Sequence, residues 1–290
     1  MSLPDLFPPF APGEPDDDDG RSRRRIPFRQ IVPNLVTILA ICAGMTGVRL
    51  AFEGRYELAV GMILGAAVLD GIDGRIARFL KGQSRFGAEM DSLADIVNFG
   101  LAPGLILYSY ILADAGAFGW ICALLYTSGC ALRLARFNTM LDDPNRPKWH
   151  GAFFVGVPAP AGAGLALLPM YVGFLGPDLG VPEFTAGVSA IYLVFVGLLM
   201  SSRIPTWSGK GAGLRIPRTY AIPVILALVL YIATLISFFW ATLTVTALVY
   251  FCSIPLAWRE FRKREARERA FSSRRGTGAS PAGAGAEDEA

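Results

Sequence analysis

The chain has 290 residues, of which 53% are hydrophobic and only 18% are charged, and its formal net charge is +3 at pH 7. Its mean hydropathy is +0.43, and its 27 Lys and Arg residues collect between long apolar segments. A soluble domain would spread such charges over a solvated surface. The composition therefore excludes an ordinary soluble protein and indicates an integral membrane protein.

The N-terminal segment, residues 1–30, is predicted to be a tail outside the membrane domain. Residues 1–20 are rich in Pro and Asp and have no apolar periodicity, which favours disorder. The segment lacks the basic stretch and following apolar core that mark a cleavable signal peptide. Residues 21–30 are basic and are suited to lie on anionic lipid headgroups.

Eight apolar segments follow, and we expect each of them to be helical because backbone polar groups in lipid must be satisfied within the segment. Most reach or exceed the roughly 17–25 residues that cross a bilayer. The segments are residues 34–52, 56–79, 91–113, 117–138, 153–175, 185–202, 217–237 and 239–258. Pro158 and Pro160 are expected to start or kink the fifth helix. The predicted fold is all-α, a polytopic transmembrane bundle of about eight helices in one domain, residues 31–258.

The C-terminal segment, residues 259–290, is predicted to be a second tail. After Arg259 the sequence alternates Arg, Lys and Glu, which favours a short helix outside the membrane. Beyond Ser272 the high content of Gly, Ala and Ser favours a flexible end. A basic tail can bind nucleic acid, but beside a membrane span it more often sets the topology, so we expect no nucleic-acid partner.

The basic residues also predict the orientation of the chain. With an even number of spans, both tails and every second loop lie on one side of the membrane. That side receives every Lys and Arg except Arg49 and Arg55. Because cytoplasmic loops carry the excess of basic residues, we expect both termini, and the loop that follows the second segment, to be cytoplasmic.

Four aspartates lie in and after the second apolar segment. Asp70 and Asp73 are three residues apart and Asp91 and Asp95 are four apart, so each pair shares one face of a helix. One such pair near a helix end is commonly a cap or a solvated charge. Carboxylates at membrane depth, however, are expensive and normally mark a functional site.

The two pairs of aspartates are expected to face each other. Asp70 lies about 13 Å along the helix from the end of the second segment, and Asp91 and Asp95 enter from the other side of a short loop. No equal cluster of Lys or Arg lies among them, so bound divalent cations are expected to neutralise their charge. Oxygen-only ligation favours Mg²⁺ or Mn²⁺ over zinc.

The spacing of these residues resembles the signature of the CDP-alcohol phosphatidyltransferase family, D-G-x-x-A-R, then eight residues, then G-x-x-x-D-x-x-x-D. The matching residues are Asp73, Gly74, Ala77, Arg78, Gly87, Asp91 and Asp95, with Asp70 as an additional upstream aspartate. Residues 91–95, 98–103, 132–138, 156–160 and 204–210 look like the bacterial phosphatidylserine synthase branch. The resemblance covers roughly residues 31–210, which implies a six-helix core followed by a C-terminal hairpin that adds little to the match.

The resemblance implies a reaction and its ligands. In this family an alcohol attacks the β-phosphorus of CDP-diacylglycerol and CMP leaves. By position, Asp70, Asp73 and Asp91 would be ligands of two Mg²⁺ or Mn²⁺ ions, which can clamp a diphosphate. Asp95 would be both a ligand and the general base for the acceptor hydroxyl.

The same resemblance implies a pocket for the CDP group. The small residues Gly74, Ala77 and Gly87 would admit the nucleotide. Arg78 would pair with a phosphate or with the edge of the base. The resemblance also suggests a homodimer, located in the inner cell membrane.

L-serine is the acceptor that the branch resemblance implies. A zwitterion needs a cation for its carboxylate, and Arg133 and Arg136 at the end of the fourth segment are placed to supply it. Lys210 is a candidate for binding the lipid phosphate or the serine. All three basic residues are equally well explained as membrane-topology anchors.

Two alternatives stay open on the sequence alone. One is the same chemistry with glycerol 3-phosphate, inositol phosphate or choline as acceptor; a phosphorylated acceptor would favour an extra basic cluster, which the sequence does not locate. The other is an ion-coupled transporter, which can place Asp pairs in broken helices. A transporter should show access from both faces and often an internal repeat, and the sequence shows neither.

Overall fold

The computed structural model describes residues 28–80, 82, 84–141, 153–176, 182–207 and 220–277, and these are almost entirely helical. The helices are α1 Phe28–Phe52, α2 Tyr56–Phe79, α3 Arg85–Asp95, α4 Ala102–Tyr110, α5 Gly116–Leu141, α6 Ala159–Ala166, α7 Leu168–Phe174, α8 Pro182–Ser201, α9 Ala221–Ser237 and α10 Phe239–Thr277. A π-helical turn, Ile96–Leu101, joins α3 to α4, and a 3₁₀ turn, Leu112–Ala115, precedes α5. Two short strands, β1 Phe153–Val155 and β2 Pro205–Trp207, complete the described elements.

Five helical stretches of the described chain are long and apolar enough to cross a membrane. They are Ile31–Phe52, Arg85–Tyr110, Leu112–Met140, Pro182–Ser201 and Phe239–Glu265. α9 is apolar but has 17 residues, and α2 has 24 residues but carries the first pair of aspartates among its charged side chains. The prediction of an all-α, polytopic membrane bundle is confirmed, and its short sixth segment is a complete 20-residue helix.

The fifth predicted helix, residues 153–175, is not continuous, and this part of the prediction was wrong. α6 begins at Ala159 directly after Pro158, with Pro160 in its first turn, as expected. It ends before Leu167, because Pro169 has no N–H to bond the carbonyl of Leu165 four residues back. The hydroxyl of Tyr192 donates to that carbonyl at 2.9 Å instead, so the break is stabilised by α8.

The beginning of the same segment is a strand rather than a helix. β1 pairs antiparallel with β2, with Phe154 opposite Thr206. Gly156 follows β1 with φ +80°, a left-handed conformation that favours glycine, and its N–H bonds the Ile204 carbonyl at 2.9 Å. The resulting two-stranded ribbon holds the start of α6 beside the end of α8.

The C-terminal basic region is helical, as predicted, but it is not a separate short helix. It continues α10 to Thr277, which gives a helix of 39 residues, about 58 Å long. Arg264 pairs with Glu260 one turn earlier at 2.5 Å, and the guanidinium of Arg262 lies 4.3 Å from the centre of the Trp258 ring. These contacts favour continuation of the helix after the apolar part ends.

The bundle is assembled by close pairs of helices. α1 packs along α2, and α5 packs along α8. At the second contact Gly129 faces Gly197, and a Cβ on Gly129 would lie 2.7 Å from the Gly197 carbonyl oxygen. Small residues therefore set the distance between α5 and α8, as is common for helices in membranes.

The π-helical turn after Asp95 is stabilised by side chains of α5. Pro103 has no N–H to return to the carbonyl of Phe99, and the hydroxyl of the buried Tyr126 donates to that carbonyl at 2.7 Å. Thr127 donates to the Gly100 carbonyl at 3.3 Å. α5 is thereby fixed against the end of α3, which positions the aspartates of α3.

Candidate active site

The two aspartate pairs lie on two adjacent helices of the bundle. α2 carries Asp70 and Asp73, and α3 carries Asp91 and Asp95. Carboxylate oxygens of Asp70, Asp73 and Asp91 all lie within 4.8 Å of one another. Asp73 is buried, Asp70 is half-buried and Asp91 is exposed. The three- and four-residue spacings place each pair on one face of its helix, and the packing of the bundle brings Asp91 to the pair on α2.

Asp95 lies one turn further along α3 than Asp91, outside this group of three. Its carboxyl group is within hydrogen-bonding reach of that of Asp70, and it also interacts with the charge of Arg133 on α5. Asp95 is less exposed than Asp91. The four carboxylates therefore form one cluster, in which Asp95 is the member that interacts with Arg133 of α5.

The buried carboxylate of Asp73 is oriented by α1. The hydroxyl of Thr37 lies 2.7 Å from Asp73 Oδ2 and 3.1 Å from the carbonyl of Pro33. Thr37 is itself buried. Thr37 is not among the residues predicted from the sequence, although the polar pair Asn34 and Thr37, three residues apart in an apolar helix, was a usable signal.

The aspartate cluster has the donor set of a hard divalent cation. It offers carboxylate oxygens alone, which suits Mg²⁺, Mn²⁺ or Ca²⁺ rather than a softer metal. Within the described residues, no Lys or Arg forms an ion pair with any of the four aspartates. A Cβ added to Gly71 or Gly74 would contact nothing within 4 Å, so this face of α2 is open. The residues present fit a bound metal.

A first cleft, of about 340 Å³, opens beside Asp73 and Asp91. It contains all four residues predicted to shape the nucleotide pocket, together with polar side chains of α1 and of the α2–α3 loop. Its lining is Pro33, Asn34, Thr37, Asp73, Gly74, Ala77, Arg78, Gly82, Ser84, Gly87, Ala88 and Asp91. The cleft therefore joins the aspartate cluster to a surface of small residues.

The start of α3 forms the wall of the first cleft. Ser84 caps this helix by accepting a hydrogen bond from the Gly87 N–H at 3.0 Å. A Cβ on Gly87 would lie 3.0 Å from Asn34 Oδ1 and 3.2 Å from Ser84 Oγ, so a larger residue would push into the cleft wall. Arg78 donates through Nε to the Gly74 carbonyl at 3.0 Å, and its Nη atoms make no hydrogen bond to the described residues.

A second cleft, of about 390 Å³, lies on the other side of α3, against α5. Its lining is Arg85, Ala88, Glu89, Asp91, Ser92, Asp95, Leu134, Phe137 and Asn138. Asn138 donates to Ser92 Oγ at 3.0 Å across this cleft. Asp91 borders both clefts, so a group held in one of them can react with a group held in the other beside the same carboxylates.

The three basic residues proposed for the acceptor occupy different positions. Arg133 is 8% exposed, lies near Asp95, and its Nε has no hydrogen-bond partner among the described residues. Arg136 donates through Nη1 to the carbonyls of Ser201 and Ser202, at 2.6 and 3.2 Å. It therefore caps the end of α8, and this contact gives no support to the prediction that it binds substrate; neither Arg133 nor Arg136 lines either of the two clefts. Lys210 lies outside the described residues.

The geometry agrees with a comparison of the whole chain with protein families. The family model for CDP-alcohol phosphatidyltransferase matches residues 30–201, which include every predicted site residue except Lys210. The chain belongs to this family. A second family model, CDP-alcohol phosphatidyltransferase 2, matches residues 219–255, a range that includes α9 and the first part of α10.

Curated relatives within the family extend the similarity over most of the chain. A protein of Mycobacterium leprae (strain TN) is 41% identical over 243 residues, 82% of this chain and 77% of the relative. One of Mycobacterium tuberculosis (strain ATCC 25618 / H37Rv) is 39% identical over 83% of this chain and 82% of its own. One of Helicobacter pylori (strain ATCC 700392 / 26695) is 36% identical over 60% and 70%. All three are named CDP-diacylglycerol–serine O-phosphatidyltransferase.

Proposed function

We propose that this membrane protein transfers the phosphatidyl group of CDP-diacylglycerol to L-serine and releases CMP. The observation that carries the proposal is the position of Asp91, which borders two clefts of similar size beside the other aspartates. Group transfer requires a donor and an acceptor to meet at one set of catalytic groups. The choice of L-serine is supported by the names of the three relatives.

The donor occupies the first cleft. Gly74, Ala77 and Gly87 leave room for the cytidine and its diphosphate, because side chains at these positions would fill the space between α1 and α3. Arg78 offers its Nη atoms to a phosphate oxygen. The diacylglycerol chains extend into the surrounding bilayer, which matches the apolar outer surface of the helices.

Asp70, Asp73 and Asp91 would hold Mg²⁺ or Mn²⁺, with Asp95 as a further ligand of a pair of ions. When bound, such ions neutralise the diphosphate and stabilise the negative charge that develops on the departing CMP. Thr37 fixes the carboxylate of Asp73 in the orientation that this role needs.

Asp95 is the general base for the acceptor. Its carboxylate takes the proton of the serine hydroxyl while that oxygen bonds to the phosphorus of the diacylglycerol phosphate. The bond between this phosphorus and the oxygen of CMP breaks at the same centre. An isolated carboxylate is a weak base for an alcohol, so positioning and electrostatic stabilisation supply most of the rate enhancement.

Arg133 binds the carboxylate of serine. It is buried, its Nε has no partner within the described residues, and it lies beside Asp95. A serine bound there through its carboxylate has its hydroxyl close to the base. We assign Arg136 to the end of α8 rather than to the substrate, and Lys210 stays a prediction for phosphate or serine.

The test is CMP release by the purified full-length protein in detergent, with CDP-diacylglycerol and an acceptor panel of L-serine, glycerol 3-phosphate, inositol phosphate and choline. We expect release with L-serine in the presence of Mg²⁺ or Mn²⁺ and none in excess chelator. Release with another acceptor but not with serine would overturn the acceptor assignment and leave the chemistry standing. Full activity in excess chelator would overturn the metal proposal.

A further inference from the structure

The second cleft contains polar side chains beyond those of the aspartate cluster. Its lining includes Asp91 and Asp95 of the cluster. It also includes Glu89, Ser92 and Asn138, which have no role in the proposed function so far. Among the described residues that line this cleft, Glu89 is the one carboxylate outside the cluster. An acceptor bound here therefore meets a negative charge in addition to the proposed metal ligands.

The carboxylate of Glu89 is not neutralised by a neighbouring side chain of the described chain. Arg85 lies four residues earlier on the same face of α3 and lines the same cleft. The two side chains form no ion pair within the described residues, and a basic residue that precedes its acidic partner is the weaker order for such pairs along a helix. Glu89 is exposed, so its charge is available to a molecule in the cleft.

The amide of Asn138 provides a second hydrogen-bond acceptor in the same cleft. The single proton of the Ser92 hydroxyl is donated to the Ala88 carbonyl at 3.1 Å, a common bond inside helices. The Ser92 oxygen then accepts from Nδ2 of Asn138 at 3.0 Å, while Oδ1 of Asn138 lies 3.5 Å from it. A bond of that length is weak, so Oδ1 keeps its capacity to accept from a ligand.

Glu89 and the proposed base are separated by a distance that suits the acceptor. Glu89, Ser92 and Asp95 follow one another at three-residue steps, so they lie along one face of α3. Glu89 and Asp95 are about 9 Å apart along the helix axis. In L-serine two carbon atoms separate the ammonium nitrogen from the hydroxyl oxygen, and a hydrogen bond of about 2.7 Å at each end brings the reach of the molecule to the same order. A serine whose hydroxyl meets Asp95 can therefore place its ammonium group near Glu89.

We infer that Glu89, together with Oδ1 of Asn138, binds the ammonium group of the acceptor in the second cleft. This inference rests on the proposed function, since it names further residues for the same acceptor. An ammonium group carries a positive charge and three donors, which match a carboxylate and an amide oxygen. A phosphorylated acceptor brings negative charge to Glu89 and is repelled, and choline has no N–H to donate, so both are disfavoured.

Glu89→Gln tests the inference, because it removes the charge and keeps the shape of the side chain. In steady-state CMP release by the full-length protein, we expect the KM for L-serine to rise at least about tenfold, as for loss of the charged partner in a hydrogen bond. The KM for CDP-diacylglycerol and kcat stay within about twofold of wild type. Equal weakening of both substrates, or an unchanged KM for L-serine, would overturn the inference.

Glu57→Gln is the matched control. Glu57 is also exposed, lies in the first turn of α2 and lines neither cleft. It is about 20 Å along α2 from Asp70. The control makes the same change of charge far from the site, so we expect its KM values to be those of wild type. A serine KM raised as much as in Glu89→Gln would contradict the inference.

A second measurement separates ammonium binding from a structural role. β-Hydroxypropionate is serine without its ammonium group, and its affinity is measured as a competitive inhibition constant against incorporation of labelled L-serine into lipid. In Glu89→Gln we expect the ratio of this constant to the serine KM to fall at least about tenfold, since the variant loses only the preference for the ammonium group. A structural defect would raise both constants and keep the ratio, which would overturn the inference.

Asn138→Ala and Ser92→Ala separate two roles of the Asn138 amide. Both variants remove the hydrogen bond between α3 and α5, but only the first removes Oδ1. We expect the KM for L-serine to be about threefold higher in Asn138→Ala than in Ser92→Ala, as for loss of a neutral acceptor. Equal KM values would show that Asn138 only connects the helices and would exclude it from the ammonium site.

These experiments distinguish failure of the inference from failure of the proposed function. If the wild-type protein does not release CMP with L-serine, the proposed function is wrong and the inference falls with it. If wild type uses L-serine while Glu89→Gln keeps its serine KM and its preference over β-hydroxypropionate, only the role of Glu89 is wrong.

Discussion

Asp95 and Asp91 lie one turn apart on α3, yet their surroundings differ. Asp91 is exposed and shares its oxygen cluster with both aspartates of α2, whereas Asp95 reaches Asp70 and the charge of Arg133. Asp95, which is nearer to α5, is placed to meet the acceptor. Asp91, which lies between the two clefts, is placed to bind a metal ion. The division of roles proposed above follows from this difference.

Replacing Asp95 with Asn separates proton transfer from donor binding. A neutral amide cannot accept the hydroxyl proton, so we expect kcat to fall roughly 10²- to 10⁴-fold. Binding of CDP-diacylglycerol, measured by equilibrium dialysis with labelled lipid in detergent, is expected to persist. Wild-type turnover would exclude Asp95 as the base, and loss of donor binding would mean that it acts chiefly as a metal ligand.

Thr37 is expected to act through Asp73. Thr37→Val removes the hydroxyl 2.7 Å from the buried carboxylate, and outer contacts of this kind typically change metal affinity 10- to 100-fold. We therefore expect a higher Mn²⁺ concentration for half-maximal activity, with kcat recovered at saturating metal. Thr37→Ser keeps the hydroxyl and is the control. A variant whose defect is unchanged by added metal would exclude this role.

At the scale of the elements, the contact between α5 and α8 depends on glycines rather than on large side chains. Gly129 and Gly197 allow the two backbones to approach, and Arg136 ties the end of α5 to the last carbonyls of α8. The same helix α5 carries Arg133 and lines the second cleft with Asn138. The distance between α5 and α8 therefore contributes to placing the acceptor site against α3.

Two glycines of α8 give a matched test of this contact. A Cβ on Gly197 would lie 2.9 Å from the Cα of Tyr126, whereas a Cβ on Gly187 would meet nothing within 4 Å. We expect Gly197→Ala to destabilise the protein by about 1–3 kcal/mol through overpacking. Gly187→Ala should be neutral or stabilising by up to about 1 kcal/mol, since Ala favours the helix. The Tm of each variant in detergent measures the difference, and equal Tm values would contradict the glycine contact.

At the scale of the whole molecule, the aspartate cluster lies at one end of a bundle whose basic residues predict that this end is cytoplasmic. The span Arg85–Tyr110 starts at the aspartates, so the 3₁₀ turn that follows it lies at the opposite end of the bundle. α8 packs against this turn and ends beside Arg136, so α8 starts at that opposite end. The last of the apolar stretches, Phe239–Glu265, ends in the basic residues that begin at Arg259 and continue along α10. We propose that both the site and the C-terminal helix face the cytoplasm.

Thiol labelling tests this orientation. In a background with the two exposed cysteines, Cys42 and Cys252, replaced by Ser, single cysteines are introduced as Asp114→Cys or Arg259→Cys. A membrane-impermeant maleimide should label Asp114→Cys in intact cells and Arg259→Cys only after permeabilisation. The reverse pattern would show that the site lies outside the cell.

The elements and the aspartate pairs could be predicted from the sequence because they depend on short-range patterns. An apolar segment long enough to cross a bilayer specifies a helix, and spacings of three and four place Asp70 with Asp73 and Asp91 with Asp95 on common faces. The break before Pro169 was missed, although proline carries that information locally. The length of α10 was not predicted, because the composition changes from apolar to basic at Arg259. The helix nevertheless continues past that residue to Thr277.

Local sequence patterns therefore suffice to predict an all-α membrane bundle, the face of each helix that bears its carboxylates, and the family to which the chain belongs. The distant residues that contact these helices became visible only in the folded bundle: Thr37 bonds Asp73 36 positions away, and Asn138 bonds Ser92 46 positions away. It likewise gave Arg136 to the end of α8 and left Nε of Arg133 without a hydrogen-bond partner among the described residues. The physical reason is that helix periodicity is set by hydrogen bonds four residues apart, whereas a partner across the bundle is set by how whole helices pack.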